Sequence, residues 1–201
     1  IQAVYGVQLC NPKRNIPEWC DRLPLGLFYD EAPHFYYLFR WLAPEGMELL
    51  DASVWDSRVE GRNTPSLINA EYKTKTGFPV YLHVNFKSSI TEWHINIVTD
   101  KVTVDMDVWR DIFVCLPNDG THSAMQILKA SVLTTWQHWV GVLKGGVKYM
   151  LGRHLYGNVE VVTRFGKTIR GEKLLQGIDA EEGRKVVELI HEIAEKARHV
   201  E

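Results

Sequence analysis

The sequence predicts an α+β fold, a mostly antiparallel open sheet with helices on one face, and three observations carry that expectation. Short runs of alternating apolar and polar residues follow one another through the middle of the chain with turn residues between them. Strands joined so tightly pair antiparallel, because a parallel neighbour needs a long crossover. From Ser123 onward the apolar residues recur at helical spacing instead. The order strand, helix, sheet, helices segregates the two kinds of element, as α+β proteins do.

Residues 1–9, Ile-Gln-Ala-Val-Tyr-Gly-Val-Gln-Leu, read as the first strand, closed by a loop whose Pro12 and Pro17 exclude regular pairing. A helix is expected from about Asp30 to Leu42. Pro33 is tolerable only in its first turn, where the missing N–H has no partner to lose, so Asp30 falls near the N-cap. Pro44 and Gly46 stop that helix, and a strand follows from Met47 to about Asp56. Leu67–Lys73 and Val80–Phe86 flank Thr76-Gly77, and Trp93–Val98 and Val102–Met106 flank Asp100-Lys101, both at hairpin spacing. His83, Asn85, His94 and Asn96 alternate on those strands, which predicts one covered and one partly open face. Ser123 with Gln126 forms a capping box ahead of Met125, Leu128, Val132, Trp136, Trp139 and Leu143. That long helix is expected to end or kink at Gly145-Gly146. A further helix runs from about Gly157 to Ile169, and Asp179 caps a last one with Val186, Val187, Ile190 and Ile193 on one stripe.

The 201 residues carry a formal charge of −2 and 45% hydrophobic residues, which suits one globular domain. So balanced a chain has no electrostatic footprint for nucleic acid or an anionic membrane, and both are set aside as partners. No apolar run reaches the roughly 18 residues of a bilayer span. Cys10, Cys20 and Cys115 cannot all pair within the chain and lack metal-ligand spacing, so a reducing, cytoplasmic setting is expected. The chain opens directly on a strand-like run without an initiator Met, and is expected to be a piece of a longer protein, residues 1–201 forming its C-terminal part.

The string Arg22-Leu-Pro-Leu-Gly-Leu-Phe-Tyr-Asp-Glu-Ala-Pro-His34, leading into an aromatic and leucine-rich helix, resembles the glucose-fructose oxidoreductase and inositol dehydrogenase family (Gfo/Idh/MocA). In that family a glycine-rich turn leads to Asp, three residues, then His. Tyr156-Gly157-Asn158, Val162-Thr-Arg-Phe165, Ile169-Arg-Gly171 and Asp179 to Leu189 are similar to its closing helices. The resemblance implies a substrate-binding and oligomer-forming C-terminal domain, with NAD or NADP held mainly by an N-terminal Rossmann domain that is absent here. No G-x-G-x-x-G fingerprint is present, so no cofactor-binding residue is assigned. The family's catalytic lysine, in a Glu-Lys-Pro motif, belongs to that missing domain. The chain departs from the family at Leu25-Gly26, where two glycines are frequent, and at Ala32-Pro33, where glycine is common.

Oxidising a secondary alcohol requires a group that takes the hydroxyl proton as hydride departs, and histidine titrates in the right range. Asp30 and His34, four apart, share one face of a helix, where the carboxylate orients the imidazole or holds a neighbouring hydroxyl. By the resemblance, His34 is the acid/base and Asp30 its helper or a substrate ligand. His154 and Trp19 are the further substrate-contact candidates, and the substrate is a sugar, polyol or related hydroxy compound. Structural readings stand beside these: Asp30 as a helix cap, His34 as a packed histidine, and Tyr36, Trp41, Trp136 and Trp139 as packing residues. His83 and His94 lack carboxylate or Cys partners at convincing spacing, so no metal is expected and their sheet face is read as exposed or facing a second copy. Two alternatives stay open: an NAD-dependent glycosidase of the same fold, and a non-catalytic oligomerising module.

Overall fold

The computed structural model describes residues 1–152, 158–172 and 179–201. Eight strands form one sheet: β1 (Ala3–Leu9), β2 (Met47–Trp55), β3 (Leu67–Thr74), β4 (Pro79–Asn85), β5 (Glu92–Val98), β6 (Val102–Asp107), β7 (Ile112–Pro117) and β8 (Arg198–Val200), in the spatial order β7-β6-β5-β1-β4-β3-β2-β8. The helices are α1 (Leu27–Leu42), α2 (Ala124–Met150), α3 (Asn158–Ile169) and α4 (Ala180–Lys196), with a short 3-10 helix at Glu18–Arg22. The α+β class with a mostly antiparallel open sheet is therefore the observed one; β1–β4 and β2–β8 are its parallel pairs.

β1 lies in the middle of the sheet although it comes first in sequence. Its Val4, Gly6 and Gln8 point to the side covered by α1. A Cβ on Gly6 would lie 2.6 Å from Cζ of Phe39 and 3.0 Å from Cδ1 of Phe35, so the absence of a side chain is what lets α1 settle on β1. Around that contact Phe28, Phe35, Tyr36, Phe39, Ile68, Tyr72, Val80, Val84 and Ile95 are buried, and α4 adds Val186, Ile190 and Ile193. Two polar devices tie the helices to this core. The Tyr36 and Tyr72 hydroxyls hydrogen-bond at 2.7 Å inside it, and the Arg40 guanidinium donates to both carboxylate oxygens of Glu182, joining α1 to α4. Val187, expected on the buried stripe of α4, is 47% exposed because it lies beside the stripe rather than on it.

Both hairpins form between the expected strands, with Gly77 at positive φ in the first turn and Thr99 bonding Val102 in the second. β7 and β8 lie outside the sequence expectation, and β8 is only three residues long. α2 starts at the anticipated Ser123–Gln126 capping box but continues through Gly145-Gly146 to Met150. Its placement is also a correction: α2 packs along β7, with Gly141 against Ile112, and leaves Met125, Leu128, Val132, Trp136 and Trp139 exposed. Trp136 and Trp139 are thus not packing residues within the described chain. Their helical spacing shows that they share a face, not that the face is covered.

Candidate functional site

α1 begins three residues earlier than its sequence suggests. Gly26 is the N-cap, at φ 59° and ψ −129°, and the N–H of Leu27 is taken by Oγ1 of Thr64 from a distant loop. A Cβ on Gly26 would lie 2.4 Å from that same Thr64 oxygen, so a glycine is required for both its conformation and its surroundings. Asp30 is therefore not the helix cap, and Pro33 lies one turn deeper than expected, inside the helix. Asp30 still lies in the first turn, where its charge is favourable to the helix N-terminus.

Asp30 and His34 both stand exposed on α1, one turn apart. The structure anchors this part of the helix from below: Glu31, only 8% exposed, accepts hydrogen bonds from the Gln8 amide on β1 and from the Arg14 guanidinium. Burial nonetheless raises the Glu31 carboxyl above its ordinary value, against the pull of Arg14. The His34 imidazole lies 5.5 Å, centroid to centroid, from the Trp93 indole of β5, which also contacts Phe35 and Trp109. Desolvation by burial lowers the pKa of His34 below its ordinary value, and the negative charge of Asp30 opposes the shift. A neutral imidazole at neutral pH, able to accept a proton, is the result.

Beyond His34 the α1 side of the sheet continues past the helix onto β6 and β7. Met106 and Phe113 are direct cross-strand partners there, and Phe113 and Trp109 are exposed. His34 thus stands at the rim of an apolar shelf. Trp19 is 52% exposed on the 3-10 helix, next to Cys20, whose thiol is raised by burial and then by the charge of Asp30. That segment consequently borders the Asp30 end of the site. His154 lies outside the described residues. Tyr36 is fully buried in the core, whereas Trp41 is 68% exposed.

His83 and His94 face the opposite side of the sheet. His83 pairs with Asn69 at 2.7 Å beside a shallow groove lined by Tyr5, Asp51, Glu71 and Tyr81. Folding does give His94 the carboxylate neighbours that its sequence spacing did not show, Glu92 and Asp107. That group already holds a cation, the Arg110 guanidinium, which bonds both carboxylates and keeps Glu92 below its ordinary pKa.

Sequence reasoning missed Gln8, Trp93, Trp109 and Thr64. Gln8 left a signal, since a polar residue in register with Val4 and Gly6 interrupts an otherwise apolar face. Thr64 left none, because its role is to cap a helix 37 residues away in the chain.

No protein-family model matches the chain, and no curated protein matches it by sequence. Solved structures do. A provisionally assigned oxidoreductase from Erwinia carotovora atroseptica SCRI1043 superimposes with TM-score 0.64 and 10% identity over 99% of this chain and 56% of that one. A provisionally assigned NADPH-dependent oxidoreductase from Desulfitobacterium hafniense gives 0.64 and 10% over 96% and 54%. UDP-N-acetylglucosamine 3-dehydrogenase GnnA from Acidithiobacillus ferrooxidans gives 0.62 and 10% over 98% and 53%. The fold is that of these oxidoreductases. The chain spans little more than half of their length.

Proposed function

We propose that this chain is the substrate-binding part of a nicotinamide-dependent oxidoreductase of the Gfo/Idh/MocA type, with His34 as its acid/base and Asp30 as the group that orients it or binds a neighbouring hydroxyl. The observation that carries the proposal is the placement of the pair. One turn apart on α1, exposed at the rim of an apolar shelf, they occupy a fold shared with oxidoreductases over nearly the whole chain.

The described residues offer no cradle for a dinucleotide: β1 runs into a proline-bearing loop and a 3-10 helix, not into a glycine-rich turn that opens a helix. NAD or NADP is therefore assigned to protein outside this chain, and its nicotinamide supplies the hydride exchange when bound. What this chain contributes is proton handling and shape. His34, held neutral by desolvation, accepts the hydroxyl proton of a secondary alcohol and returns it in the reverse direction. Asp30 stabilises the imidazolium so formed. The shelf of Trp109, Phe113 and Met106 receives the apolar face of a sugar, polyol or related ring. A homo-oligomer built on the open sheet face, where Tyr5 and Tyr81 stack at 5.1 Å, completes the reading.

The test is cofactor turnover. The protein with its nicotinamide-binding part, given NAD or NADP and a panel of polyols and sugars, is expected to accumulate reduced cofactor, and residues 1–201 alone are expected to accumulate none. Glycoside cleavage without net reduced cofactor would instead identify the glycosidase variant of the fold. Turnover by residues 1–201 alone would overturn the division of labour.

A further inference from the structure

α2 is the longest helix among the described residues, and none of its 27 residues is buried. It packs along the edge strand β7, where Gly141 rests against Ile112 and the Gln137 amide bonds the backbone of Cys115. Helices in folded proteins owe most of their stability to packing an apolar face, and α2 has such a face without a cover. The side turned away from β7 carries Met125, Leu128, Val132, Trp136, Trp139, Leu143, Val147 and Met150, each at least half exposed. At the helical repeat these eight fall within an arc of about 100°, a continuous apolar stripe about 37 Å long.

The spacing of that stripe is the same in both directions. Its steps are 3, 4, 4, 3, 4, 4 and 3 residues, so a two-fold axis between Gln137 and His138 brings Met125 level with Met150, Leu128 with Val147, Val132 with Leu143 and Trp136 with Trp139. We propose that α2 is an interface for a second copy of this chain, the two helices packing antiparallel about that axis. A two-fold contact must be self-complementary, and a palindromic stripe meets that condition, whereas a surface shaped for a different protein is under no such constraint. The mean step of about 3.6 residues equals the helical repeat, so the stripe runs straight and the two helices stay in contact along it. Relief agrees with the pairing: Leu128, Val132, Leu133 and Trp136 line a shallow apolar groove in one half of α2, and the two-fold sets the bulky Trp139 and Leu143 of the other half opposite it. Charge agrees too. α2 bears Lys129, Lys144 and Lys148 and no carboxylate. Lys148 is paired with Asp111 of its own chain, and Lys129, at the margin of the stripe, comes level with Gly146 of the second copy, so no lysine meets a lysine. Eight large apolar side chains at this exposure supply roughly half or more of the about 800 Å² per partner that a standard interface covers. The contact is separate from the open sheet face around Tyr5 and Tyr81, and it stands whether or not the chain serves an oxidoreductase.

Sedimentation of the whole protein tests this through the mass of the assembly in wild type, Val132→Glu, Leu143→Lys and the double variant, with circular dichroism confirming that each is folded. Either single substitution sets an unpaired charge against apolar side chains at two symmetry-related places. The expected result is a Kd raised about a hundredfold or more and a mass that falls by half. In the double variant the introduced carboxylate of one copy faces the introduced ammonium of the other, and the mass is expected to recover. The two positions lie about 16 Å apart along one helix, so recovery reports the antiparallel register and not a contact within the chain. A mass unchanged by Val132→Glu, or lost in the single variants and not recovered in the double one, overturns the proposal. A wild type with the mass of one chain also overturns it, and binding of that single chain to vesicles of anionic lipid would assign the stripe to a membrane surface instead. Should the charged variants not fold, disulfide formation decides, in a Cys115→Ser background. Val132→Cys mixed with Leu143→Cys is expected to yield cross-linked dimers under mild oxidation, and absence of that cross-link contradicts the proposal.

Discussion

The Tyr36 and Tyr72 hydroxyls show how narrowly single groups are balanced in this molecule. Each is buried, each partners the other at 2.7 Å, and burial holds both phenols protonated well beyond the usual tyrosine range. Tyr72→Phe leaves the Tyr36 hydroxyl without its partner and is expected to cost about 1–3 kcal/mol in denaturant unfolding. A variant as stable as wild type would show that the pair is replaceable. His34 is balanced differently, because desolvation lowers its pKa and Asp30 opposes the change. The residue type and the spacing of four were legible in the sequence, but the direction of the shift was not. It depends on burial of the ring in the folded chain, where Trp93, 59 positions further along, is one of the neighbours that a β-strand delivers.

At the scale of elements, the contact of α1 with β1 fixes the site. Gly6→Ala places a methyl 2.6 Å from Phe39 and 3.0 Å from Phe35, so α1 must shift outward or the rings must repack. The expected cost is about 1–3 kcal/mol in unfolding free energy, with turnover reduced because His34 rides on the same helix. Unchanged stability and turnover would mean that the core accommodates the methyl. The periodic elements were legible: the strands of both hairpins, the capping box of α2 and the Asp179 cap of α4 are where alternation and turn chemistry put them. The start of α1 was misread for a physical reason. Gly26 and a threonine from another loop begin the helix without a local capping side chain, and Pro33 is accommodated inside it instead of marking its first turn. Edge strands as short as β8 carry too few residues for a pattern to emerge.

For the molecule as a whole, charge sets the response to acid. Hydrogen bonds and cationic partners hold the carboxyls of Asp21, Glu92 and Glu182 below their ordinary range, through Asn63, Arg110 and Lys185 first. Groups with a depressed folded pKa add stability that is fully present above the unfolded carboxylate range and disappears as pH falls through the folded value. Melting temperature is expected to be level near neutrality and to fall below about pH 4.5; a profile flat to pH 3 would contradict that assignment. No helix among the described residues is long and apolar enough to cross a membrane. The apolar residues left exposed on α2 form a surface of the kind that partner molecules cover, a distribution that residue spacing alone does not disclose.

The acid/base role of His34 is tested most directly by the pH dependence of kcat/KM for polyol oxidation in wild type, Asp30→Asn and His34→Ala, each with its cofactor. Wild type is expected to lose activity on the acid side as His34 protonates, at a pH below the ordinary histidine value. Asp30→Asn removes the charge that favours the imidazolium, so that limb should move to still lower pH, while His34→Ala should lower the rate by roughly 10²–10⁴-fold and abolish the limb. Identical profiles in all three proteins would contradict the account.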